Sequence, residues 1–422
     1  MSYSAQQGRF GGRPQSRIEI GRDSPVVDSV FVALPFVAIL FNLWFGSLTP
    51  VLVAGSLLFY IAFRFERVVP VLLRCWPLLL LPIFCIASAL WSRVPGTTAY
   101  YGTLFLLTVI PACLIGAGTN GIAALKGIFG AFSLYTICSI AFGRWVNWND
   151  GGIAYAGLAG SKNAAGDTAA LTILVSSMMI MWALGQKKRG WVIAAAATLP
   201  FALFCLVFSR ATGVLIASII ALPCMAAWVV SRRLDPPVRN MVFLSAGVII
   251  LLLVGTSSQW MPVLFDAILT EAGKTAGLTG RGFLWSHADR YIADRPIFGL
   301  GYNAFWVHNN LDAEFMWRQL GITTRQGFNF HNTPRDILVD LGYVGLVLFG
   351  TVAIFSAIRL FGKVMLAPKY FGIFCCTLAV FEMPRIFFEQ IGFANMHFST
   401  LIVFTILSYA YRAQVAPIVN RS

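Results

Sequence analysis

Along this chain, apolar and polar positions do not alternate finely; long apolar runs are separated by short polar turns. A bilayer-spanning helix needs about 20 mostly apolar residues, and twelve runs approach that length: 27–46, 48–63, 75–91, 99–117, 122–143, 164–185, 191–208, 213–231, 241–258, 337–358, 370–388 and 396–411. The second is short, and the eleventh carries Glu382, Pro384 and Arg385 toward its end. One long polar stretch interrupts the series between the ninth and tenth runs. Within it Leu284, Ala288, Tyr291 and Ile292 fall on one helical face, which predicts an amphipathic helix ended by Pro296. The pattern as a whole predicts an all-α polytopic membrane protein of about 12 transmembrane helices. Its parts are a tail (1–26), helices 1–9 (27–258), a large helix-containing outer loop (259–336), helices 10–12 (337–411) and a second tail (412–422).

Composition narrows the class. Apolar residues make up 58% of the chain and charged residues only 11%, against roughly a quarter charged in soluble domains, which excludes a soluble enzyme. An aromatic content of 14% excludes a disordered chain. The net charge of +14 would suggest nucleic acid in a soluble protein. Sorting the basic residues by loop removes that reading. With the N-terminus inside, nineteen of the 31 lie in inward segments, and seven of the other twelve sit in the long loop, where the positive-inside rule does not count them. Both termini are therefore expected in the cytoplasm, and no nucleic-acid partner is expected. The first residues show no short apolar region with a cleavage site, so they read as a retained tail. The eight cysteines lie in or against apolar runs without a CxxC pair, as packing residues do.

What orientation leaves unexplained is a set of outward residues. Arg210, in the turn Phe208-Ser209-Arg210-Ala211, must sit at the membrane surface between two helices, where a guanidinium is costly unless it meets an anion or snorkels. Thr279-Gly280-Arg281 opens the amphipathic helix, which continues through Trp285; free N–H groups and the helix dipole favour anions there. An arginine in a first turn is unfavourable for the helix itself. It suggests either a phosphate donor or a salt bridge to a loop carboxylate. Arg295-Pro296 through Phe305 is a glycine-punctuated turn that does not follow a strand, so a dinucleotide fingerprint is excluded. His331 stands before the tenth span, ahead of Asp340-Leu341-Gly342, and a neutral imidazole there can take a proton from a hydroxyl. The sequence has no DxD; Asp312-Ala313-Glu314 is the nearest approach to one, and neither a metal nor a cofactor is expected.

Together these stretches resemble the O-antigen ligase and polymerase family of bacterial envelope proteins. The resemblance rests on Ser209-Arg210, TGRxxxW at 279–285, RPxxGxGxxxF at 295–305 and HNxxxxxxxxxGxxG at 331–345, with Ser88-Ala89-Leu90-Trp91-Ser92 as a further match. It is strongest over roughly 200–350, and the pattern is most similar to the ExoQ-type exopolysaccharide polymerases. The resemblance implies a GT-C-like architecture in the bacterial inner membrane. It also implies a metal-independent glycosyltransferase that uses a polyprenyl-diphosphate-linked oligosaccharide donor and a growing glycan acceptor on the periplasmic face, alongside polysaccharide export and chain-length proteins. Arg210 and Arg281 match diphosphate-holding positions, and His331 matches the base. Ser209, Thr279, Trp285, Arg295 and Asp340 are supporting positions in the same motifs. Asn332-Thr333-Pro334-Arg335 departs from the small and apolar residues more usual after that histidine. An O-antigen ligase acting on lipid A core is the alternative within the class. A flippase or transporter for the same lipid-linked sugar is the alternative outside it, though no internal repeat supports it.

Overall fold

A computed structural model of the chain describes residues 24–147, 152–255, 281–322, 325 and 327–413. It is an all-α polytopic membrane protein. Every apolar run of the sequence contains a helix: α1 (Pro25–Leu40), α2 (Leu48–Arg74), α3 (Trp76–Ala87), α4 (Pro95–Cys113), α5 (Gly121–Phe142), α6 (Lys162–Gly185), α7 (Arg189–Phe208), α8 (Thr212–Ser231), α9 (Pro236–Gly255), α12 (Thr333–Leu366), α13 (Tyr370–Glu382) and α14 (Phe398–Tyr409). Among the described residues between α9 and α12 are two helices of the long loop, α10 (Arg281–Asp294) and α11 (Leu311–Gln319). Among the described residues, eight helical stretches are long and apolar enough to cross a membrane, and three more apolar helices, including α1 and α14, are shorter. The tails 1–23 and 414–422 lie outside the described residues, as does the loop segment 256–280 that contains Thr279.

Caps and close packing explain the helix starts. Ser24, Asn120 and Ser161 each accept a bond from a first-turn amide of the helix that follows, satisfying donors that hydrocarbon would leave bare. Helix α1 lies along α5, and α6 along α7. Helices α1 and α5 approach closely at Gly127, where a Cβ would come within 2.5 Å of the Ser29 carbonyl oxygen, as expected where small residues let membrane helices approach. Two ends differ from the sequence pattern. Helix α2 runs eleven residues past the apolar run 48–63, with non-helical backbone at Arg64, a buried residue that pairs with Asp28 at 3.1 Å. Helix α12 begins at Thr333, ahead of its apolar run. A two-stranded antiparallel hairpin, β1 (Arg144–Asn147) with β2 (Ile153–Gly157), lies between α5 and α6 and is absent from the sequence reading.

The long loop forms a small second core at one end of the bundle. Leu284, Ala288 and Ile292 of α10 are buried with Phe305, Ala313, Met316, Trp317, Phe330 and Val339. Three of the four residues predicted for the apolar face of α10 are thus buried, and Tyr291 packs at the edge of the same core. Burying a side chain such as Phe330 contributes about 1.5–3 kcal/mol, and Phe330 directly precedes His331.

Candidate functional site

The sequence motifs interlock at this end of the bundle. Helix α12 breaks at Gly342, whose φ of +64° is open to glycine and strained for other residues. The turn 296–303 satisfies the broken helix. Tyr343 N–H donates to the Pro296 carbonyl at 2.7 Å, Leu300 N–H to Val339 and Gly301 N–H to Asp340. A Cβ at Gly342 would lie 2.3 Å from the Ile297 oxygen, and one at Gly299 would lie 2.5 Å from the Asp340 carbonyl carbon. Here RPxxGxG and the GxxG that follows His331 are two halves of one contact. Ser88-Ala89-Leu90-Trp91-Ser92 is the third piece. Ser88 Oγ accepts from Tyr302 N–H, Trp91 Nε1–H donates to the Phe298 carbonyl, and Gly301 packs against Ser92.

This scaffold holds the start of α12. Asn332 caps it, accepting from Arg335 N–H at 2.9 Å, while its own amide donates to the Phe387 carbonyl. The Asn-Thr-Pro-Arg stretch that departs from the family habit therefore builds the helix start. Thr333 Oγ1 lies within hydrogen-bond distance of the Glu389 and Ile391 carbonyls and accepts from Ile391 N–H, tying in the segment between α13 and α14. Trp285 Nε1–H donates to the Phe330 carbonyl, and Arg335 lies over the Trp285 ring while pairing with Asp289 at 2.9 Å. His331 is fixed between these anchors at φ +51°, a conformation that costs about 1–3 kcal/mol for a residue with a side chain. Arg210 has the same φ of +51°.

Three elements converge on one carboxylate. His331 Nδ1 lies 3.0 Å from Glu389 Oε2, Arg281 Nη2 lies 2.7 Å from Glu389 Oε1, and Asn163 Nδ2–H donates to Oε1 at 3.0 Å. Burial pushes the Glu389 carboxyl up, but the hydrogen bond from His331 and the charges of His331, Arg281 and Arg385 outweigh it. They hold the group below the ordinary glutamate value, so it is a carboxylate at neutral pH. With its proton on Nδ1 facing that carboxylate, a neutral His331 keeps its Nε2 lone pair for another proton. Behind this group Arg385 bridges two buried carboxylates, Asp167 of α6 and Glu382 at the end of α13, which ties α6 to the stretch that leads into Glu389.

The other sequence-predicted residues are placed as follows. Ser209 is buried, its hydroxyl donating to the Leu206 carbonyl and accepting from Ala211 N–H. Its turn packs on Gly166, one helical turn from Asn163, with contacts of 2.9 Å or less from a Cβ there to Ser209 Oγ and Ala211 Cβ. Arg210 is exposed on that turn, beside a wall of partly exposed aromatics in which Phe208 packs on Trp145 and Phe204. Asp340 Oδ2 accepts from Asn303 N–H, so its carboxylate is engaged by the turn. Arg295 is exposed and makes no ion pair with described residues. Glu314 pairs with Arg325 at 3.1 Å, and among the described residues no cluster of three acidic, His or Cys side chains forms a metal centre.

The comparisons fall on the same residues. Residues 197–350 match the O-antigen ligase family Wzy_C. That match covers about a third of the chain. It is also 31% identical over 277 residues to the exopolysaccharide production protein ExoQ of Rhizobium meliloti (strain 1021), covering 64% of this chain and 62% of that protein. The chain thus spans less than two thirds of the length of that relative. The matched region includes Arg210, Arg281 and His331. Asn163 and Glu389 lie outside it, and both bond residues of the site.

Glu389 and Asn163 escaped the sequence reading. One signal was present: Glu389 sits in an apolar stretch between two spans, where a carboxylate is costly without a partner. Its partners are 58, 108 and 226 residues away, which no local pattern can reveal.

Proposed function

We propose that the protein is a membrane glycosyltransferase of the polymerase type, joining polyprenyl-diphosphate-linked oligosaccharide repeat units into an exopolysaccharide. The observation that carries this reading is the convergence of the Arg281 guanidinium and the His331 imidazole on Glu389, at the end of an apolar bundle. His331 Nε2 takes the proton of an acceptor hydroxyl as its oxygen bonds to the anomeric carbon of the donor sugar. The bond from that carbon to the diphosphate breaks, and the diphosphate leaves with the electron pair. Arg281 and Arg210 hold the developing negative charge; a planar fork matches phosphate oxygens in pairs. Two guanidiniums, of which Arg281 is held by Glu389, supply the charge stabilisation that a divalent metal gives in other transferases. The aromatic wall beside Arg210 gives the polyprenyl tail an apolar path from the bilayer to the clamp.

In this reading the chemistry takes place on the periplasmic face of the inner membrane with both termini in the cytoplasm, which the distribution of basic residues supports. Alkaline phosphatase fused after residue 300 is expected to be active; a cytoplasmic signal there would invert the orientation. In cells, deleting the gene is expected to abolish the polymer while lipid-linked single repeats accumulate. Polymer of normal length retained on the lipid carrier would instead assign the ligase reaction.

A further inference from the structure

We propose that Glu389 is a positioning residue shared between the diphosphate clamp and the base, so that loading of the donor switches on His331. The inference rests on the roles given above to Arg281 and His331. One carboxylate serves both: Oε1 faces Arg281 at 2.7 Å and Asn163 at 3.0 Å, and Oε2 faces His331 at 3.0 Å. The side chains of Arg281 and Glu389 are each 21% exposed and that of His331 30% exposed, so an arriving diphosphate can reach all three. The backbone of Glu389 is held in place, its N–H donating to the Arg385 carbonyl and its carbonyl accepting from Thr333.

Without donor, the guanidinium of Arg281 neutralises Glu389 and weakens its pull on the imidazole. A diphosphate competes for that guanidinium with more charge than one carboxylate offers. Once Arg281 turns to it, Glu389 keeps its bond from Asn163 but has lost its contacting guanidinium, and an unneutralised carboxylate favours an imidazolium beside it. By linkage the effect is reciprocal: the same carboxylate that strengthens the base weakens donor binding by competing for the clamp. The base then reaches full strength only with donor in place.

The other charged groups facing this site leave the switch to Glu389. Arg385, from the end of α13, is held between Asp167 of α6 and Glu382. Asp336 of α12 accepts from the Phe330 amide. His397, at the start of α14, bonds Ser399 through Nδ1.

The test is Glu389→Gln in the full chain, purified in lipid nanodiscs and supplied with lipid-linked repeat units extracted from the deletion strain. A carboxylate favours an imidazolium beside it, and a glutamine amide carries no such charge. The expected result has three parts: kcat falls ten- to a hundred-fold, the acid limb of kcat moves down by about one pH unit, and the donor KM falls several-fold. An unmoved acid limb, or a donor KM that is unchanged or higher, overturns the proposal and leaves Glu389 a packing residue. If Glu389→Gln is not recovered folded, Asn163→Asp, which adds a second carboxylate beside the clamp, is expected to raise the donor KM several-fold; an unchanged KM there overturns the proposal equally. Failure of the underlying reading is separately visible, because His331→Ala would then still make polymer.

Discussion

His331→Ala is expected to lower polymer synthesis by at least about a hundred-fold, within the 10²–10⁴ that positioned proton transfer contributes, with protein level and membrane insertion unchanged. The expectation follows from what holds this residue. Phe330 is buried in the loop core, Asn332 caps α12, and Thr333 ties in the Glu389 segment. All three lie beside His331 and do not depend on its ring. Among the described residues the imidazole bonds to Glu389 alone, and it packs edge-on to Phe328 at 5.8 Å between ring centroids. Removing it takes away a proton acceptor and little packing. Quantifying the polymer in a complemented deletion strain, beside an immunoblot of the membranes, checks both halves. Normal-length polymer from His331→Ala would remove the base from the mechanism.

Arg281→Ala is expected to cost a similar or larger factor, of order 10²–10³, the loss seen when one preorganised donor to a developing anion is removed. Arg281→Lys should recover little. An ammonium is a compact point charge, whereas this site needs a planar donor that can leave one carboxylate for two phosphate oxygens. The same substitution separates the two readings that the sequence left open for Arg281, a phosphate donor or a salt bridge to a loop carboxylate. Arg281 does pair with Glu389, at 2.7 Å. If that pair were its whole purpose, Arg281→Lys would preserve most of the activity. Single-turnover rates with extracted lipid-linked repeats distinguish the outcomes.

The fold was legible to the extent that it rests on burial in lipid. Apolar runs of about 20 residues have one stable solution in hydrocarbon, a helix, and each of the twelve runs contains one. The amphipathic helix from Arg281 to Asp294 was legible for the same reason, since its apolar spacing must face something. The hairpin at 144–157 was not: Trp145 and Tyr155 pair across it, but the segment between them holds polar residues and two glycines, and no alternation signals the strands. In the site, legibility followed cost. Arg210, Arg281 and His331 stood out because each is an expensive choice at its position. The glycines of 299–301 and 342 were visible as residues, but that they meet across one helix break is a property of the packed chain. Asp340, singled out with them, serves that junction through the Asn303 amide. Glu389 was hidden because its meaning lies entirely in partners brought from three distant segments.

The most direct measurement is polymerisation by the purified full chain in nanodiscs, with extracted lipid-linked repeat units as sole substrate and EDTA present throughout. The account predicts a ladder of products of increasing length from the wild-type protein and none from His331→Ala. A ladder that vanishes with EDTA, or one that persists with His331→Ala, would contradict it.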